Sequence, residues 1–153
     1  MKYVSIEPEV VGGLGDGTVM DRSVHPPNVT ELHFEFDLSP HDVLVEGYPC
    51  WLITVPAMDR IKAAGLTGVR AEPFELTMSE QFQHFHRNRK LPKFLWLKVE
   101  GTAFKDDFGI SRIERTIPAD TLIKKRLYEL AISERALKLL QSLGIAHAAI
   151  YEF

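Results

Sequence analysis

Glu31, His33, Glu35 and Asp37 alternate with Leu32, Phe34 and Phe36. A strand here would carry three carboxylates and one imidazole along one face, roughly 6–7 Å apart in succession. Imidazole and carboxylate together can hold a divalent cation. They can also form an acid–base pair, with the imidazole as general base. The same row serves equally well as the wet face of an antiparallel sheet, or as an acidic strip for a basic protein partner. Metal sites usually draw ligands from several elements, and no partner cluster stands out in the sequence. The surface reading is therefore the expectation, and an enzyme built on His33, Glu31, Glu35 and Asp37 is the alternative.

Other candidates carry less. Gly12-Gly13-Leu14-Gly15-Asp16-Gly17 invites a phosphate-loop reading, but Thr18-Val19 stands where Lys followed by Ser or Thr is required. A dinucleotide loop needs a helix next, and Asp21-Arg22-Ser23-Val24-His25-Pro26-Pro27 is a poor one. The run is expected to be a shaped surface loop. His84 and His86 lie two apart on an expected helix and so diverge. Asp106-Asp107 could join Glu114 or Asp120 around a metal, but a solvated turn explains the pair as well. Cys50, the single cysteine, reads as a small buried apolar residue. No cofactor motif is present.

Charge is unevenly spread. Residues 1–50 hold nine acids and two bases, a local net of −7, against twelve acids and sixteen bases in the remainder. Five bases and no acid fall between Gln81 and Val99, among aromatics that include Phe94 and Trp96. These aromatics occur at core spacing, and the bases are fewer than a dedicated nucleic-acid binder carries. Nucleic acid is not the expected partner. No membrane-length apolar run or signal peptide is recognisable, so a soluble cytoplasmic protein is expected.

The elements that must position these residues follow from one repeated pattern. At a constant offset of 79, Thr54 meets Ser133, Ala57 meets Ala136, Ile61 meets Leu140, Gly65 meets Gly144 and Phe74 meets Phe153. Each copy reads as strand, capped helix, glycine stop, strand. Thr54 and Ser133 are N-caps. Ile53 with Met58, and Ile132 with Leu137, form hydrophobic staples. Gly65 and Gly144 are expected at C′. Elsewhere we expect strands at Tyr3–Ile6, Glu31–Asp37, Trp51–Ile53 and Phe94–Thr102. Val10–Asn28 reads as a long loop. A short helix should run from its Ser79 cap to about Asn88, with Phe82 and Phe85 inward, and Phe104–Gly109 should be a turn. The conformation of 110–128 is open.

GGLGDGTVMDRSVHPP, ELHFEFD, PCWLIT…AAGLTGVR, FLWLKVEG, DDFGIS and LAISERALKLL together resemble a family of small uncharacterised bacterial proteins over most of the chain. Locally, the final strand with its Ser-Glu-Arg-Ala-Leu-x-x-Leu helix resembles immunity proteins of bacterial polymorphic toxin systems. That likeness implies a non-enzymatic protein that binds and neutralises a cognate toxin. It supplies no catalytic residues.

The sequence thus predicts a single α+β domain over 1–153. It should have a mixed or mainly antiparallel sheet, about three helices, and two similar strand–helix–strand units at about 50–74 and 128–153. The expected function is partner binding through Asp16, Asp21, Glu31, His33, Glu35 and Asp37. Assembly of copies through an exposed sheet edge is a further expectation.

Overall fold

The computed structural model describes residues 2–112 and 128–153. Among them, thirteen strands and three helices form a mostly antiparallel α+β fold. The expectations for Glu114, Asp120 and the lead-in to residue 128 lie outside the described residues.

The first repeat unit comprises β7 (Cys50–Thr54), α1 (Val55–Ala63) and β8 (Val69–Glu72). Its counterpart comprises β12 (Glu129–Ser133), α3 (Glu134–Leu143) and β13 (Ala149–Glu152). Both caps form as the sequence predicts: the Thr54 hydroxyl accepts from the Ala57 N–H at 3.4 Å, and that of Ser133 from the Ala136 N–H at 3.2 Å. Gly65 takes φ +67° just beyond the Ala64 cap, and the Leu66 N–H reaches the Ile61 carbonyl at 3.2 Å. Gly144, at φ +117°, is itself the cap rather than C′, because α3 runs one residue further than α1.

The likeness extends beyond the strand–helix–strand units. In neither unit do the two strands pair directly. β10 (Phe94–Val99) lies between β7 and β8, and β1 (Tyr3–Glu7) lies between β12 and β13, antiparallel to both neighbours in each case. A fourth antiparallel strand flanks each first strand: β6 (Leu44–Gly47) beside β7, and β11 (Phe108–Ser111) beside β12. The two sheets, β6-β7-β10-β8 and β11-β12-β1-β13, therefore share one order. The middle strand comes from downstream of the first unit but from the chain start in the second. That permutation conceals the match from a constant-offset comparison.

Ile6, Ile53, Met58, Ile61, Leu97, Leu130, Ile132 and Leu140 bring both sheets, α1 and α3 into one apolar core. Sheet β6-β7-β10-β8 is covered on its other face too. There Val45, Leu52, Phe94 and Trp96 meet Phe34, Phe36 and Phe82. Burial on both faces explains why β7 reads as a continuous apolar run. Cys50 lies in this second core, where burial pushes its thiol up to about 12. At pH 7 it is a packed apolar group, as its sequence context predicts.

The second core is roofed by a three-stranded sheet, β2 (Gly12–Leu14), β5 (His33–Phe36) and β9 (Glu75–Met78). β5 pairs with β2 antiparallel and with β9 parallel. A separate ribbon joins β3 (Val19–Asp21) to β4 (Asn28–Glu31). Residues 10–28 are thus not the long loop expected. Backbone pairing supplies a strand where side chains give little signal: Gly12 lies so close to the Glu35 carbonyl that a Cβ would be 1.9 Å from its oxygen. The expected strand Glu31–Asp37 is also two strands, with the change of partner at Leu32. Leu32, Phe34 and Phe36 are buried, as their alternation requires.

Two further corrections concern short segments. α2 (Glu80–Phe85) is capped by Ser79 but ends before Asn88. Phe82 is buried, whereas Phe85, the last residue of the helix, is 68% exposed. The expected turn 104–109 ends in β11, and Asp107 is buried rather than solvated.

Candidate functional site

The strand face singled out by sequence is organised around His33. The Gly17 N–H donates to His33 Nδ1 at 3.0 Å, so this nitrogen is an acceptor and the ring proton sits on Nε2. Nε2 then donates to Thr77 Oγ1 at 2.7 Å, and that hydroxyl donates to Glu35 Oε1 at 3.3 Å. Thr18 clamps the His33 backbone, its hydroxyl donating to the carbonyl at 2.8 Å and accepting from the N–H at 3.1 Å. The glycine run therefore wraps an imidazole. A Cβ at Gly15 would lie 2.4 Å from His33 Nδ1, so any side chain there displaces the ring or the loop.

This arrangement determines the available chemistry. Both His33 nitrogens are engaged, which leaves no lone pair free for a metal or a substrate proton. Glu35 is held by the same chain of hydrogen bonds. Glu75 stands beside His33 in the parallel register. Asp16 is exposed on the glycine turn, and Asp37 is half-buried just after β5, where its N–H donates to the Val11 carbonyl at 2.8 Å. Asp21 and Glu31 belong to the β3–β4 ribbon and are exposed. The Ser23 hydroxyl and N–H hold the Asp21 carboxyl below its ordinary value. The structure thus joins His33 to Glu35 through Thr77, keeps Asp16 and Asp37 next to them along the chain, and places Asp21 and Glu31 on the ribbon. Exposed Val19, Val24 and Leu38 lie among these acids. Charge mixed with apolar surface, on backbone fixed by β pairing, suits contact with a protein.

Next to this face is an open groove of about 940 Å³ lined by Thr77, Met78, Gln83, His86, Arg87 and Arg89, among others. Thr77 belongs to both surfaces. His84 packs edge-on against Phe85 at 4.8 Å and His86 against Phe82 at 5.1 Å, so the two imidazoles diverge as their spacing predicts.

Two polar centres escape sequence reasoning. Asp107 accepts from the Thr67 N–H (2.9 Å), the Ser133 hydroxyl (2.6 Å), and Arg135 Nε (2.8 Å) and Nη2 (2.7 Å). It joins the end of the first repeat unit to the cap of the second. The Arg135 guanidinium, helped by Ser133 and Thr67 against the cost of burial, holds its carboxyl far below the ordinary range. The other centre gathers Glu9, His41, Asp42 and His147. No linear motif signals either, because the partners lie 26 to 105 residues apart.

Among the described residues, no helix is long and apolar enough to cross a membrane. Comparison with family models, curated proteins and solved structures finds no match for this chain.

Proposed function

We propose that this chain is a cytoplasmic, non-enzymatic binding protein that neutralises a cognate bacterial toxin by covering it. The contact surface is the acidic face of β2, β5 and the β3–β4 ribbon. One observation carries this reading: Gly17 and Thr77 hold His33 on a strand whose chain neighbours include exposed Asp16, Glu31, Val19 and Val24. Such a surface has fixed shape and a strong sign of charge, which favours fast, specific docking of a basic partner. The enzymatic alternative on the same strand needs a free ring nitrogen on His33, and both are engaged.

The test is growth of a host that expresses a growth-arresting protein encoded beside this chain's gene. Co-expression of the wild-type chain is expected to restore growth. The Asp16→Lys/Glu31→Lys/Glu35→Lys variant, folded by circular dichroism, is expected to leave growth arrested. Failure of the wild-type chain to restore growth overturns the proposal. So does equal rescue by the variant.

A further inference from the structure

Glu9, His41 and His147 come from three separate connections: the β1–β2 link, the β5–β6 link and the α3–β13 turn. Each places one atom able to ligate a metal within 4.8 Å of the other two. The two imidazoles are stacked, with ring centroids 4.5 Å apart and planes inclined by 21°.

The surroundings prepare these groups for a cation. Glu9 Oε1 accepts the backbone N–H groups of His41 (2.8 Å) and Asp42 (3.1 Å), which leaves Oε2 directed at the His41 ring, 2.8 Å from Nδ1. Two backbone donors thus fix the carboxylate through one oxygen, while Oε2 bonds the His41 ring and keeps a second lone pair for an ion. Asp42, whose side chain is 3% exposed, does the same for His147: Oδ2 accepts its N–H at 2.8 Å, and Oδ1 meets ring Nδ1 at 3.0 Å. A carboxylate on one ring nitrogen fixes the tautomer and makes the other nitrogen a better ligand. The His41 and His147 side chains are 58% and 52% exposed, so small rotations can close the set without disturbing the core.

We infer that Glu9, His41 and His147 form a zinc site, with Asp42 orienting His147 from behind. Two imidazoles and one carboxylate are a characteristic zinc donor set, which leaves a fourth position for water. Glu9 and Asp42 together balance the double charge of the ion. The ion would tie three connections of the fold together. The inference uses none of the residues His33, Glu35, Asp16, Asp21, Glu31 and Asp37 and does not depend on the proposed function.

The experiment uses the full chain, stripped with chelator and titrated with zinc chloride in a calorimeter, and follows thermal unfolding with and without zinc. One equivalent is expected to bind at micromolar or lower Kd and to raise Tm. His41→Ala and His147→Ala, both at exposed side chains, should each weaken binding at least tenfold. Asp42→Asn should weaken it by roughly 10–100-fold, whereas the control H84A/H86A should bind as wild type does. Absence of binding at 1 mM zinc (roughly a thousandfold above that Kd) overturns the inference. So does binding that survives H41A and H147A, or that is lost in the control.

Discussion

Replacing Asp107 with Ala is expected to destabilise the fold by about 3 kcal/mol, the scale for removing a buried, charged hydrogen-bond acceptor. For a domain of this size that corresponds to a fall in Tm of roughly 6–12 °C. Asp107 is 3% exposed, and its removal strands the Thr67 N–H and the Ser133 hydroxyl. Arg135 contributes less to the loss because its side chain is 55% exposed and regains water. Thermal or urea unfolding measures the change, and a loss under about 1 kcal/mol would remove Asp107 as the joint between the units.

The same carboxylate has a pH signature. Its folded pKa lies far below the unfolded value of about 3.9. Its contribution is therefore complete above that unfolded value and is lost as pH falls toward the folded one. The stability difference between wild type and Asp107→Asn should be constant from about pH 6 to 8, where the carboxylate is ionised in both states, and shrink below about pH 4. A difference that grows on acidification would contradict this assignment.

The second large effect concerns association. Reversing Asp16, Glu31 and Glu35 to Lys changes the local charge of residues 1–50 from −7 to −1, since each substitution changes charge by two. Electrostatic steering changes association rates by roughly 10–1,000-fold and weakens with salt. The triple variant is expected to bind the proposed toxin partner at least tenfold more slowly at low ionic strength, with a smaller change in dissociation. The wild-type rate should also fall as salt is added. Surface plasmon resonance reads both, and a salt-independent wild-type rate would exclude steering by this face.

Much of the scaffold was legible because helix ends follow local rules. Thr54, Ser133 and Gly65 behave as their types require, and the alternation of Phe34 and Phe36 identifies the buried side of β5. The errors fall where pairing partners decide the outcome. β2 is a strand because its glycines can approach the β5 backbone, and such contact leaves no apolar pattern in sequence. The full sheet likeness was hidden because β1 and β10 occupy matching places from opposite directions along the chain. Asp106-Asp107 looked like a solvated turn, since nothing adjacent announces that Ser133 and Arg135 fold over Asp107.

At the candidate face, the sequence identified His33 and Glu35 but not Thr77, which links them from 42 and 44 residues away. In the sequence the glycine run and His33 stand as separate features, although in the fold one encloses the other. Glu9, Asp42 and His147 carried no signal, as each is an ordinary polar residue until three connections meet.

The most direct measurement is hydrogen–deuterium exchange of the chain alone and saturated with the proposed toxin partner. New protection is expected in residues 12–21 and 28–37, with little change along α3 and β13. Protection confined to the groove around Arg87 and Arg89, or to the β13 edge, would contradict it.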